Sequence, residues 1–258
     1  MKKKRSLKPP QETYSVYGLN GCLEILNYKK LRILSVDVIK EGLAWENKLL
    51  QDYRHQFPES VKIFRKSDFV NRYQGIRHQG IVINFEGKLI KDSLPNYSNS
   101  SENICLLAVD NVEDPQNLGQ IIRTAECAGI DGVVIPLHNS AGITSTVLQV
   151  SQGAFLHLPI YVVPNLRNVF IDLKKQGFWV IGFENSLEAK QWHQISYEGK
   201  VVCVVGSEGK GIRPLVLQTC DFQATISMYG KTNSLNVSAS VSAILFERNR
   251  QVHSKEIV

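Results

Sequence analysis

Long apolar runs are missing from this sequence of 258 residues. No run approaches the roughly 18–20 apolar residues that span a bilayer, so we expect no membrane-spanning segment. The first ten residues, MKKKRSLKPP, are basic, but no apolar stretch follows them. We therefore expect no signal peptide.

The cysteines also lack the spacing of a disulfide framework or a zinc site. They are odd in number and widely scattered, without a C-x-x-C pair: Cys22, Cys105, Cys127, Cys203 and Cys220. Scattered, unpaired cysteines are typical of reduced thiols. We expect a cytoplasmic protein that holds no metal.

Positive charge is unevenly distributed along the chain. Residues 1–84 hold sixteen Lys and Arg against eight Asp and Glu, a balance of +8, whereas residues 85–258 have a balance of −2. A basic module attached to a nearly neutral one suggests a domain that binds a polyanion and serves another activity. A solvated basic surface without a partner explains the charge equally well.

The pattern divides the chain into four parts. Residues 1–13 join a lysine cluster to two prolines and are predicted to be disordered. Residues 14–85 alternate strand and helix patterns and predict a compact α/β domain. Its predicted helices include Glu41 to Gln56 and a short one capped by Ser67-Asp68. The polar stretch 86–102 is predicted to be a linker, and residues 103–258 form the second domain.

The second domain begins with a continuous apolar run, Ile104 to Val109, as expected for a parallel strand buried on both faces. Asp114 before a proline has the chemistry of a helix cap, and the helix is predicted to end at Gly129. Further strands follow at Val133–Ile135, Ile160–Val163, Phe178–Phe183, Val201–Val205 and Ala224–Met228. Alternating strands and helices predict an α/β fold with a parallel, doubly wound sheet.

Three segments of the second domain carry chemistry. The first, DPQNLGQIIRTAECAG, places Asn117 and Arg123 on the first turns of one helix. An arginine near a helix N-terminus favours an anion such as a phosphate. A helix with one surface arginine accounts for the segment as well.

The second segment is the glycine-rich stretch Val205 to Gly211, directly after a predicted buried strand. A P-loop would need Ser or Thr where Ile212 stands, and the dinucleotide fingerprint would need glycine at Pro214. The segment therefore predicts a ligand loop of neither kind.

The third segment runs from Ile226 to Phe246. It reads as a strand, a polar turn and a helix with small residues between its apolar positions. Small side chains allow another backbone to approach closely, which favours a ligand pocket. An ordinary strand–turn–helix is the alternative.

In this order and spacing, the three segments resemble the motifs of the SpoU (TrmH-type) RNA 2′-O-ribose methyltransferases of the SPOUT superfamily. The N-L-G-x-x-x-R core, the G-S-E-G-x-G loop and the S-L-N-V-S signature are all present. The first domain resembles the substrate-binding domain of that family, from Val16-Tyr17-Gly18 to His78-Gln79-Gly80-Ile81. The resemblance extends over all but the first dozen residues, and is strongest to the branch that methylates a guanosine in large-subunit (23S) ribosomal RNA.

The resemblance implies several properties that the patterns themselves do not. They are an L30e-like first domain that binds RNA, a C-terminal trefoil knot, a homodimer and S-adenosylmethionine as methyl donor. By correspondence, the donor pocket would be lined by Gly206, Gly209, Ile226, Met228, Ser234 and Leu235. The reaction centre would consist of Asn117, Arg123, Glu208 and Asn236. One position departs from the family, which usually has proline where Ser227 stands.

The resemblance also suggests roles. Because a guanidinium is always protonated, we expect Arg123 to grip a phosphate and stabilise charge developing on the 2′-oxygen, rather than to act as a base. Glu208 could orient Arg123, and Asn236 could hold the ribose or the glycine-rich loop. Two alternatives remain: a transfer-RNA ribose 2′-O-methyltransferase, and a non-catalytic RNA-binding relative. The separate basic domain favours ribosomal RNA, and the intact reaction-centre residues favour catalysis.

Overall fold

A computed structural model describes residues 12–100, 102–186 and 189–253. Most of the tail predicted to be disordered, 1–13, lies outside the described residues, and Thr13 already belongs to a strand. The chain divides into two compact units, Met1–Lys88 and Leu89–Val258. No helix in the described ranges is long and apolar enough to cross a membrane.

Over residues 12–88, the first unit consists of a four-stranded mixed sheet with three α-helices. Its elements are β1 Thr13–Tyr17, α1 Leu19–Asn27, β2 Arg32–Ile39, α2 Lys48–Gln56, β3 Val61–Phe64, α3 Lys66–Arg72 and β4 Ile81–Glu86. The strand order is β1-β4-β2-β3. Strand β4 is antiparallel to both of its neighbours, whereas β2 and β3 are parallel. The carboxyl ends of β2 and β3 and the start of β4 therefore lie at one edge of this sheet.

Two helix predictions in this unit are wrong at their starts. Helix α2 begins at Lys48 rather than Glu41, because the Asn47 side chain accepts a hydrogen bond from the N–H of Leu49 and caps the helix there. Glu41 instead has a positive φ of 59°, which a helix does not allow. Helix α3 begins at Lys66 without a side-chain cap, so the predicted capping pair lies inside its first turn.

The second unit is built on an eight-stranded sheet in which every pairing is parallel. Its strands are β5 Ile90–Lys91, β6 Ile104–Val109, β7 Gly132–Pro136, β8 Ile160–Val163, β9 Trp179–Phe183, β10 Lys190–Gln191, β11 Lys200–Val205 and β12 Phe222–Thr225. Its helices are α4 Pro115–Cys127, α5 Ser145–Ser151, α6 Leu166–Lys174, α7 Pro214–Leu217 and α8 Val237–His253. The strand order is β10-β12-β9-β11-β6-β7-β8-β5. The predicted parallel α/β sheet is confirmed.

The sheet of the second unit is covered on both faces. Strand β6 is buried at all six positions, which requires packed layers above and below it. One layer contains α6 and α7, whose Phe170 and Val216 join Leu106 in a single apolar cluster. The other contains α4, which contacts β7 and packs against α5 and α8.

The stretch predicted as a linker, 86–102, differs from that prediction at two places. Ile90–Lys91 forms the edge strand β5 beside β8. Further on, the Tyr97 ring meets Phe178 edge-on at 5.3 Å, and the Tyr97 N–H donates to the Gln176 side chain at 2.7 Å. Strand β5 and the Tyr97 ring thus attach this otherwise polar stretch to the second unit.

We predict that Gly119 of α4 is required for the contact with α5. A Cβ at Gly119 would lie 2.6 Å from the Cβ of Val150 and 3.0 Å from the carbonyl oxygen of Val147. Gly119→Ala should lower the free energy of unfolding by about 1–3 kcal/mol through overpacking, more than the ~1 kcal/mol gain in helix propensity. Denaturant unfolding measures this change.

The matched control is Gly142→Ala, where an added Cβ meets no atom within 4 Å. Its stability should change by less than about 1 kcal/mol. Equal stabilities of the two variants would show that α4 and α5 are not in tight contact at Gly119.

Candidate active site

A pocket of about 360 Å³ opens where β9, β11 and β12 end. Ligands of open parallel sheets bind outside the carboxyl ends of the strands, because the loops that follow them meet there. The lining comes from the segments 183–185, 205–211, 224–226 and 233–235, with residues 228, 237, 240 and 244. All six residues that the resemblance assigns to a donor pocket line it: Gly206, Gly209, Ile226, Met228, Ser234 and Leu235.

The loop after β11 folds back on its own start. The N–H of Gly211 donates to the carbonyl of Ser207 at 2.9 Å. A Cβ at Gly206 would overlap the carbonyl carbon of Gly211, so only glycine permits this return. Gly209 and Gly211 have φ angles of +83° and +65°, which other residues rarely adopt.

Two carboxylates that lie outside the three motif segments fasten this loop from the neighbouring strands. Glu184, directly after β9, accepts a hydrogen bond from the N–H of Ile212. Asp110, directly after β6 and fully buried, accepts from the N–H of Arg213 at 2.8 Å and from its Nε at 2.8 Å. Their only sequence signal is an acidic residue immediately after a buried apolar run.

The segment after β12 leaves the sheet earlier than predicted. Strand β12 ends at Thr225, so the predicted strand to Met228 is wrong over its last three residues, two of which line the pocket instead. The Asn185 side chain donates to the carbonyl of Asn233 at 2.8 Å and holds this segment in place. At the position that departs from the family, the Ser227 hydroxyl donates to Gln191 Oε1 at 2.7 Å.

A polar cluster beside the pocket joins three of the four predicted reaction-centre residues. The Nδ2 atom of Asn236 donates to Glu208 Oε1 at 2.6 Å and to Asn117 Oδ1 at 2.9 Å. The Nδ2 atom of Asn117 donates to the same Glu208 oxygen at 3.3 Å. Each motif segment thus contributes one residue, and the three residues form a single hydrogen-bonded group.

Asn236 is oriented by the start of α8. Its Oδ1 accepts from the N–H of Ser238 at 2.9 Å, which is the geometry of a helix cap. The Ser238 hydroxyl donates to Gln120 Oε1 on α4 at 2.8 Å. Ser238 closes the S-L-N-V-S signature, but the sequence suggested no role for it, and Gln120 carried no signal because a glutamine on a helix is an ordinary polar residue.

Arg123 is not part of this cluster. It is exposed on α4, roughly 9 Å along the helix axis from Asn117 at 1.5 Å per residue. With the described residues it forms no hydrogen bond or ion pair, so the suggested contact with Glu208 is not formed. Its guanidinium is open to a ligand, and its catalytic role stays a prediction.

A second cavity of about 320 Å³ adjoins the polar cluster. It shares Ser207, Glu208, Lys210 and Val237 with the first pocket, and Asn117 also lines it. The remaining lining residues are Asn111, Val112, Glu113 and Asp114. Among the described residues, no group of three or more His, Cys, Asp or Glu side chains is arranged to hold a metal ion.

Comparison with known proteins places this site in a family. The model of the SpoU rRNA Methylase family matches residues 105–246, from the second residue of β6 into α8. This span contains all three motif segments. A Staphylococcus epidermidis protein assigned to the TrmH family of tRNA/rRNA methyltransferases is 36% identical over 182 residues, which are 69% of this chain and 73% of that protein.

Two solved structures share the fold. An AdoMet-bound rRNA methyltransferase from Sinorhizobium meliloti superposes with a TM-score of 0.74 at 20% identity, covering 92% of this chain and 87% of that one. An RNA 2′-O ribose methyltransferase superposes with a TM-score of 0.77 at 22% identity, covering 94% and 90%. The family model matches more than half of this chain, and the staphylococcal relative aligns with more than two thirds of it. The chain therefore belongs to the SpoU (TrmH) family of tRNA/rRNA methyltransferases.

Proposed function

We propose that the protein transfers a methyl group from S-adenosylmethionine to a ribose 2′-hydroxyl, on a guanosine of large-subunit ribosomal RNA. The observation that carries this proposal is the polar cluster of Asn117, Glu208 and Asn236, which lies between two adjoining cavities. Such an arrangement can hold a donor on one side and an acceptor on the other. The names of the superposing proteins, an AdoMet-bound rRNA methyltransferase and an RNA 2′-O ribose methyltransferase, support it.

The first pocket fits S-adenosylmethionine. Its volume of about 360 Å³ falls within the roughly 300–1,000 Å³ of small-molecule sites. Apolar side chains at Phe183, Ile226 and Leu235 suit a flat base, and the glycine-rich loop offers backbone groups to the polar parts. The bound donor supplies an electrophilic methyl group; the protein must supply the position of the acceptor oxygen.

Glu208 is suited to position that oxygen. The side chains of Asn117 and Asn236 and the N–H of Val237 all donate to its Oε1 atom. In the described part of the chain no donor reaches its Oε2, which can accept a hydrogen bond from a ribose hydroxyl. That bond would direct the hydroxyl oxygen and draw its proton away, while the second cavity receives the nucleotide.

Arg123 would act on the negative charge of the RNA. Its exposed guanidinium can hold a phosphate next to the reacting ribose through two parallel hydrogen bonds. The same charge would stabilise the oxygen as it loses its proton. Asn236, which fastens Glu208, would act on the loop rather than on the ribose.

The first unit would supply the RNA-binding surface, and we assign it the L30e-like role. Four exposed basic side chains lie at the edge where β2 and β3 end and β4 begins: Lys40, Arg65, Lys66 and Arg77. The likeness to the Sinorhizobium meliloti rRNA methyltransferase extends over 92% of the chain, more than the second unit alone. This favours ribosomal RNA over transfer RNA.

We also assign the trefoil knot and the homodimer to this protein. Helix α8 follows β12 yet packs against α4, which follows β6, three strands further along the sheet. The intervening segment therefore crosses the ends of β9 and β11 beside the glycine-rich loop, the crossing that a knot needs. Phe246 of α8 is 53% exposed and is an apolar side chain that a second copy can cover.

The proposed reaction predicts which nucleoside is made. Incubation with methyl-labelled S-adenosylmethionine and either ribosomal or transfer RNA, followed by digestion and mass spectrometry, should yield 2′-O-methylguanosine from large-subunit RNA. Glu208→Gln serves as the inactive control. A methyl group on a base, or donor binding without transfer to either RNA, contradicts the proposal; transfer to tRNA alone favours the alternative substrate.

A lysine at position 123 should not restore the methyl-transfer rate that Arg123→Ala loses. Lysine retains the charge but loses the planar pair of donors, and removing such a contact typically slows the chemical step about 10²–10³-fold. The measurement is single-turnover methyl transfer, with donor affinity determined in parallel and Arg167→Lys, on the exposed side of α6, as the matched control. Near-normal transfer by both Arg123 variants refutes the role, and lost donor affinity makes Arg123 structural.

Basic residues at the edge of the first unit should dominate RNA binding. Lys40→Ala/Arg77→Ala should reduce the slope of log affinity against log salt by about 1–2, because each lost phosphate contact removes about 0.7–0.9. The control, Lys29→Ala/Lys30→Ala, removes two exposed charges from the opposite end of β2 and should leave the slope nearly unchanged. Equal slopes for both pairs would move RNA binding away from this edge.

A further inference from the structure

Glu184 stands in the pocket wall but belongs to none of the three motif segments. It follows β9 directly, and its backbone N–H donates to the carbonyl of Ala224 at 3.0 Å. This bond fixes the residue against the end of β12. The side chain is half-buried and lines the pocket that we assign to the donor.

The Glu184 side chain also holds part of the loop after β11 in place. Its Oε1 accepts from the N–H of Ile212. A Cβ at Gly211 would overlap the carboxylate, so the glycine leaves the space that Glu184 fills. Asp110 accepts the next N–H, that of Arg213, and two carboxylates from the strands on either side of β11 thus hold consecutive residues of one loop.

The two carboxylates differ in their charge balance. Asp110 is paired with the Arg213 guanidinium at 2.7 Å. Glu184 has no cationic partner among the described residues, and the other ionisable side chains that line the pocket are Glu208 and Lys210. The hydrogen bonds that Glu208 accepts come from neutral donors and leave its charge in place. Two carboxylates therefore stand against one lysine among the lining residues, and Glu184 makes the pocket wall negative overall. Such a charge favours a positively charged occupant.

We propose that Glu184 is a specificity residue of the donor site: it holds the loop through Oε1, and its charge favours the cationic donor over the neutral product. This inference rests on the proposed function. In methyl transfer the carbon–sulfur bond breaks and a carbon–oxygen bond forms. The electron pair of the broken bond stays on sulfur, and the hydroxyl proton passes to Glu208 and from there to solvent. The sulfonium thereby becomes a neutral thioether, so the attraction to Glu184 weakens once the methyl group has left.

The test compares binding of S-adenosylmethionine and S-adenosylhomocysteine by isothermal titration calorimetry. Glu184→Gln retains an acceptor for the Ile212 N–H but removes the charge. It should weaken binding of S-adenosylmethionine about five- to tenfold, as expected for one charge pair about 6–9 Å apart at an effective dielectric constant of about 40, and change binding of the product less than about twofold. Glu184→Ala, which loses the acceptor as well, should weaken both ligands.

Asp172→Asn, which removes an exposed charge from α6, is the control and should leave both affinities unchanged. The proposal is overturned if Glu184→Gln weakens both ligands equally or neither. If that variant does not fold, raising the salt concentration with wild-type protein should weaken the donor more than the product, and equal weakening overturns the proposal. Failure of wild-type protein to bind either ligand would instead refute the proposed function.

Discussion

The hydrogen bond between Asn236 and Glu208 is the contact on which the rest of the site depends. It joins the start of α8 to the loop after β11, and Asn117 adds the start of α4 to the same group. These three chain segments follow three different strands of the sheet. Because strands in a parallel sheet deliver their loops to one edge, a few side chains suffice to fasten them into one site.

The sheet itself prepares the loop that this contact completes. Asp110 and Glu184 extend from the strands beside β11 and accept the N–H groups of Arg213 and Ile212. Buried N–H groups need partners, and a loop that receives them from rigid strand ends is held before any ligand arrives. A preorganised pocket lowers the entropy that binding must overcome. Fold and site are therefore linked through the ends of three neighbouring strands.

Elements of this architecture could be predicted from the sequence where a single local signal determined the structure. Asp114 before a proline marked the start of α4, and an unbroken apolar run marked β6. The resemblance to the family, rather than any local pattern, named the residues that line the pocket and, apart from Arg123, those that form the polar cluster. Competing signals caused the errors: Asn47 caps α2 inside a stretch that otherwise suits a helix, and the apolar residues after Thr225 suit a strand as well as a pocket wall. The anchoring carboxylates could not be found, since their role depends on which strands are neighbours.

We propose that three loops form the donor pocket before the donor binds. A crystal structure of the protein with S-adenosylmethionine would decide whether they do. The donor should lie against Gly206, Ile226 and Leu235, with the Asn236–Glu208 bond intact and the backbone of the loop after β11 shifted by less than about 1 Å. A donor bound elsewhere, or a loop rebuilt with that bond broken, would contradict it.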